Sequence, residues 1–133
     1  MALVNPVNTV GVMGAGLALE FKRRYPEMFG FYKWACKHRA ISTGTLVYYN
    51  DYVKIIILFP TKQDWRSKSR IEYIEEGLKF FVYSCSISKD IPSVSFPMLG
   101  CGLGGLKWGD VKPLMEKYLQ DVDIPVYIHE VKQ

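Results

Sequence analysis

An α/β fold, a mixed sheet flanked by helices, is the class this sequence predicts, and three observations predict it. Short β-rich apolar runs alternate with amphipathic segments at helical spacing. Two glycine-rich loops, Gly11-Val12-Met13-Gly14-Ala15-Gly16 and Gly100-Cys101-Gly102-Leu103-Gly104-Gly105, each follow an apolar run and precede a helical pattern. The chain of 133 residues is 49% hydrophobic and 23% charged, the balance of one ordinary globular domain without low-complexity tracts or repeats.

Ala2 to Val4 reads as a strand, and the first glycine loop follows it. Leu17, Ala18, Phe21 and Tyr25 then recur at helical spacing until Pro26 ends the run. A second helix starts on Pro26, turning Met28, Phe29, Tyr32, Ala35 and Cys36 inward and Lys33, Lys37 and Arg39 toward water. Beyond the Ser42-Thr43-Gly44 break, Thr45 to Tyr49 and Val53 to Phe59 flank Asn50-Asp51, a hairpin reading with the second strand the more buried. Ser69 and Glu72 have capping-box spacing, and Ile71, Ile74, Leu78, Phe81 and Cys85 continue one apolar face. Ser93 to Met98 forms a strand into the second glycine loop. Trp108, Val111, Met115, Tyr118 and Leu119 mark a helix, and Ile124 to Val131 a closing strand. Trp34 and Trp108 lie on amphipathic segments and read as packing residues.

Composition excludes several function classes. The formal net charge of +4 favours anionic ligands without reaching the basicity of a dedicated nucleic-acid binder. Val53 to Phe59 is too short to span a bilayer and the N-terminus lacks signal-peptide features, so the expectation is a cytoplasmic protein with no membrane partner. Cys36, Cys85 and Cys101 are widely spaced with only two histidines, which indicates neither a disulfide framework nor a metal site. Cys101 reads as a small buried side chain within its loop.

Glycine lets a backbone turn sharply and approach a ligand, and helix N-terminal amides suit phosphate, so the paired loops suggest a diphosphate cradle. In open α/β sheets ligands bind beyond the carboxyl ends of the strands, where both loops and Thr61 to Arg66 fall. The glycine pattern matches neither the dinucleotide fingerprint nor a Walker loop. Around Lys62, Trp65, Arg66, Lys68 and Arg70 face a single acid, Asp64. That mix suits stacking a base and holding phosphates, or equally a solvated loop capping a helix.

Val4-Asn5-Pro6-Val7-Asn8-Thr9 running into the first loop, with Phe59-Pro60-Thr61-Lys62 and Pro97-Met98-Leu99-Gly100 running into the second, resembles a macrodomain over nearly the whole chain. Within that superfamily the sequence is similar to the DarG-type branch, antitoxins that remove ADP-ribose from thymidine in DNA, and to glycohydrolases that release terminal ADP-ribose from protein. The resemblance implies no cofactor and an ADP-ribose cleft formed by Val7, Thr9, Gly11, Val12, Met13, Gly14, Ala15 and Gly16 with Pro97, Leu99, Gly100, Cys101, Gly102, Leu103, Gly104 and Gly105. It makes Lys62 and Asn8 the catalytic candidates at the distal ribose, and the aromatic and basic mix beside Lys62 makes Trp65 and Arg66 candidate DNA contacts. Lys62 matches a lysine able to attack the anomeric carbon or to act electrostatically, and Asn8 an asparagine that donates and accepts at once. Asn8 and Asn5 can alternatively serve their own turn through an Asx-type bond.

Two departures stand out. Gly104 occupies the position where protein-directed relatives carry an aspartate, and Ala15 that where DNA-directed relatives often carry a basic residue. The usual first strand and adenine-site acid of the family also have no counterpart here. The expected activity is therefore DNA ADP-ribosyl glycohydrolase, with a cognate ADP-ribosyltransferase toxin and single-stranded DNA as partners. The alternatives are a non-catalytic ADP-ribose reader or a hydrolase acting on ADP-ribosylated protein, ADP-ribose-1''-phosphate or O-acetyl-ADP-ribose.

Overall fold

The computed structural model describes residues 1–131. Five strands, β1 (Ala2–Val7), β2 (Val47–Asp51), β3 (Lys54–Pro60), β4 (Val94–Phe96) and β5 (Val126–Ile128), form one mixed sheet in the order β2-β3-β1-β4-β5. β1 pairs in parallel with both β3 and β4, β4 with β5 likewise, and only β2 runs antiparallel, against β3. The central strands carry the apolar runs because both their faces are covered.

Helices α1 (Gly16–Arg24) and α2 (Pro26–Lys37) pack on one face, and α3 (Ile71–Ile87) and α4 (Trp108–Leu119) on the other. Successive β3 side chains alternate between the layers: Ile56 and Leu58 join Met28, Tyr32 and Ala35, while Ile57 and Phe59 join Ile74, Leu78 and Phe81. Pro26 sits at the first position of α2, where its missing N–H costs nothing and its fixed φ suits the helix. Gly77 lets α3 settle onto β3, since a Cβ there would come within 2.3 Å of the buried Phe59 ring.

Five local expectations change. The first strand continues to Val7, so Asn5 and Pro6 belong to the sheet. Asn50 and Asp51 are paired strand residues opposite Ile55 and Lys54, and the hairpin turns at Tyr52 and Val53, with Tyr52 at φ +35°. The parallel anchoring of β3 to β1 sets the register, and β2 extends along it beyond the residues with turn-forming chemistry. The capping box does not form: Arg70 is the N-cap, and the Ser69 Oγ is buried without a partner. The closing strand is confined to Val126–Ile128. Trp34 is 53% exposed on the outer face of α2, whereas Trp108 packs against the α3/α4 core. None of the described helices is long and apolar enough to cross a membrane.

Candidate functional site

Three loops leave the carboxyl ends of β1, β3 and β4, neighbouring strands at the centre of the sheet, and hydrogen bonds and close packing join them. The Thr9 amide and Oγ1 both donate to the Gln63 carbonyl, at 3.0 and 2.9 Å, fastening the β1 loop to the β3 loop. Behind them the Thr61 amide donates to the Val7 carbonyl at 2.9 Å. The Ser69 amide donates to the Gly104 carbonyl at 2.9 Å, fastening the β3 loop to the β4 loop. Leu103 closes on Gly16 at the remaining side, 3.4 Å from where a Cβ would stand.

The first loop is shaped around Asn8, which is 5% exposed. Its Nδ2 donates to the Val12 carbonyl at 2.8 Å, and its Oδ1 accepts from the amides of Val10 and Val12 at 3.0 and 3.4 Å. The Tyr32 hydroxyl donates to the same Oδ1 at 2.6 Å and lies 2.9 Å from the Asn8 carbonyl. Burial, followed by the neighbouring Cys36 thiol, raises the Tyr32 hydroxyl well above the ordinary tyrosine range, so it stays a donor. The Asx-type turn is thus formed by Asn8. Asn5 is fully buried, its Nδ2 3.9 Å from the Met13 sulfur and its Oδ1 unpartnered.

Gly11 and Gly16 hold φ of +84° and +60°, which accounts for glycine at those two points. Ala15 caps α1 without a side-chain hydrogen bond, and no acid occupies the first turn, leaving its amides open to an anion. Val7 and Met13 are buried in the core, while Val12, Gly14 and Ala15 are exposed. In the second loop Leu99 and Cys101 are buried and the Cys101 thiol lies 3.4 Å from the Leu99 carbonyl. Burial raises that thiol above its ordinary value, with Asp110 adding to the effect. Pro97 is half-buried at the loop entrance, and Gly102, Leu103 and Gly105 are exposed. Among the described residues no carbonyl or side chain accepts from the amides of Gly102, Leu103 or Gly104. Of these, Gly102 and Leu103 are exposed, and their adjacent open amides suit phosphate oxygens.

Gly104 has a steric reason to lack a side chain. A Cβ there would lie 2.3 Å from the Ser69 Oγ and 2.6 Å from the Gly100 carbonyl oxygen. The absent aspartate is therefore built into the packing of the loop against Ser69, a contact that the local Ser-x-x-Glu signal concealed.

Lys62 is half-buried two residues beyond β3, and its Nζ lies 3.3 Å from the Trp65 carbonyl. Asn8 and Lys62 each directly precede a residue of the Thr9–Gln63 link, so they flank one fastening between adjacent parallel strands. Arg66 clasps Asp64 through Nε and Nη2 at 3.0 and 2.9 Å, and its hydrogen bonds hold the Asp64 carboxyl down at about 2. Its guanidinium also lies 5.2 Å from the centre of the half-exposed Trp65 ring. Trp65 thus carries the Arg66 guanidinium over one ring face and is half-exposed, and Arg66 has to exchange a carboxylate partner to meet a phosphate. Two concavities flank the loops, one of about 500 Å³ between residues 9–11 and α2, the other of about 200 Å³ beside Gln63, Lys68, Arg70 and Tyr73.

Comparison with known proteins matches this architecture. The DNA ADP-ribosyl glycohydrolase of Mycobacterium tuberculosis is 46% identical over 95% of this chain and 38% of its own length. The solved macrodomain of Thermus aquaticus DarG superposes with a TM-score of 0.91 at 41% identity, covering 98% of this chain and 89% of that one. Thermosipho africanus DarTG, solved in complex with ADP-ribose, gives 0.92 at 36% identity over 98% of this chain and 39% of that chain. The chain spans less than two-fifths of the length of the DNA ADP-ribosyl glycohydrolases of Thermus aquaticus and Mycobacterium tuberculosis. The Macro domain family profile matches residues 4–115, and with the five-stranded sheet and its paired glycine loops this places the chain in the macrodomain family.

Proposed function

We propose that this macrodomain is an ADP-ribosyl glycohydrolase that releases ADP-ribose from a nucleobase in DNA. The observation that carries the reading is the three-loop ring: open amides on two glycine loops for the diphosphate, joined through Thr9 and Gln63 to the segment that carries Lys62. Curated relatives above 40% identity are named for that activity, and a Thermosipho africanus relative, 39% identical, is a fusion of DNA ADP-ribosyl transferase and glycohydrolase. A cognate transferase is the partner this implies, with the action on cytoplasmic DNA.

In the proposed step Lys62 passes a proton to solvent water and the lone pair this frees bonds to the anomeric carbon of the distal ribose. The bond to the base breaks, its electron pair leaves with the base, and the amine's surplus proton neutralises that base. Water then cleaves the lysine adduct, returning the amine and free ADP-ribose. Asn8 shapes the wall of the ribose site, with Tyr32 holding its carboxamide. The assay is incubation with a thymidine-ADP-ribosylated oligonucleotide and, in parallel, glutamate-ADP-ribosylated protein and ADP-ribose-1''-phosphate, with free ADP-ribose detected by mass spectrometry. Release from the oligonucleotide is the expected result; release only from another substrate reassigns the activity. A non-catalytic reader is favoured by one observation, the lack of a carboxylate at Gly104, and it predicts binding of ADP-ribose with no release from any substrate.

A further inference from the structure

The whole formal excess of positive charge lies in one helical layer. Between Gly16 and Arg39 stand six cations, Lys22, Arg23, Arg24, Lys33, Lys37 and Arg39, against two acids, Glu20 and Glu27, a surplus of four that equals the net charge of the chain. Everywhere else cations and acids balance at eleven each. The neutral remainder includes α3 and α4, so the two faces of the sheet differ in charge.

This basic layer carries a groove of about 500 Å³, walled by residues 9–11 on one side and by Lys33, Trp34 and Lys37 on the other, with no acid in its lining. The three α2 residues fall at helical spacing and form one outward stripe. Trp34 is 53% exposed, and its ring is held in place by Phe31 and His38, with centroids 6.1 and 4.7 Å away. Lys22 of α1 and Lys33 of α2 both reach the Phe29 ring, at 4.5 and 5.7 Å, so the stripe continues onto α1. Cations spaced along a groove with an exposed, oriented indole among them are the features that hold a flexible phosphate strand and stack one of its bases.

We propose that this groove binds the single-stranded DNA on one side of the modified nucleotide, a reading that rests on the DNA-directed glycohydrolase assignment and extends it. The groove wall at Thr9 adjoins Asn8 and is hydrogen-bonded to Gln63, so a strand lying there leads toward the Lys62 end of the ring. Trp65 is a stacking surface on the same β3 loop as Lys62, and Trp34 supplies another across the first loop. The occupant is a strand because the lining frames an aromatic face with two lysines and no acid, a charge pattern that suits phosphates and that the core of a protein interface is depleted in.

The test uses fluorescence anisotropy with a labelled, unmodified oligothymidylate of about 12 nucleotides, a length within the span such surfaces cover. Lys33→Glu/Lys37→Glu is compared with Lys79→Glu/Lys89→Glu, an equal charge change centred on α3 in the opposite layer. The groove variant is expected to weaken binding about tenfold or more at low salt and to flatten the slope of log K against log salt by about 1.4, while the control stays within about twofold of the native protein. Trp34→Ala is expected to weaken binding at least about fivefold. Circular dichroism checks folding, and Lys33→Gln/Lys37→Gln replaces the groove variant if charge reversal prevents it. Equal weakening by both charge-reversal pairs, no weakening by either, or a dimer dissolved by the groove variant with oligonucleotide binding intact would overturn the proposal. Because the probe carries no ADP-ribose, groove binding without release from modified DNA would sink only the glycohydrolase reading, and release without groove dependence only this one.

Discussion

Asn8, Lys62 and Gly104 illustrate how far residue types alone lead. The sequence places Asn8 beside a glycine loop, but of its four side-chain hydrogen bonds three are local, to Val10 and Val12, and the fourth, at 2.6 Å, comes from Tyr32 on α2, 24 positions away. Tyr32→Phe removes a buried donor from the Asn8 oxygen and is expected to lower stability by about 1–2 kcal/mol in urea titration. ADP-ribose affinity should weaken with it as the loop loosens, measured by calorimetry. The glycine at position 104 was legible as a missing acid and illegible as a packing requirement, because Ser69 approaches it from another loop. Gly104→Ala is expected to cost about 1–3 kcal/mol, and combination with Ser69→Gly to recover part of that loss in a double-mutant cycle. Full additivity of the two changes would remove the steric explanation.

At the scale of elements, the strands and helices were legible wherever one period dominates. β3 announced itself by an apolar run buried on both faces, and α3 by an apolar stripe that survives in Ile74, Leu78 and Phe81. What the pattern concealed is set by tertiary contact. The hairpin turn lies at Tyr52 and Val53 because register is fixed on β1, and Trp34 faces solvent although α2 is amphipathic. The seat of α3 on β3 supplies a sharp test: Gly77→Ala ought to improve helix propensity, yet its methyl would meet Phe59 at 2.3 Å. A net destabilisation of about 1–3 kcal/mol is expected by thermal or urea unfolding. A stabilised variant would mean that α3 does not rest on Phe59.

For the whole molecule, two helical layers around one sheet bury groups whose titration links stability to pH. Burial raises the Cys36, Cys85 and Cys101 thiols above 9.0 and the Tyr48 hydroxyl from 10.0 to about 12, and pushes Tyr32 higher still. Each raised group keeps its proton in the folded state after the unfolded chain has lost it. Their contribution is therefore complete below about pH 9 and is lost as pH rises toward 12. Unfolding free energy from urea titrations should fall steadily across that window; a flat profile would contradict the burial of these groups. The same architecture brings three loops, distant in sequence, to one end of the sheet. Their convergence was legible from the position of all three at carboxyl ends of strands in an α/β sheet, whereas the strand order that makes them neighbours and the hydrogen bonds that join them were not. The catalytic claim rests on the lysine in the middle loop. Its most direct measurement is release of ADP-ribose from a thymidine-ADP-ribosylated oligonucleotide by the native protein and by Lys62→Ala, with ADP-ribose affinity measured on both samples. The account predicts that the variant loses release by about 100-fold or more, the scale of a removed catalytic group, while keeping its affinity within about threefold. Undiminished release by Lys62→Ala would contradict it.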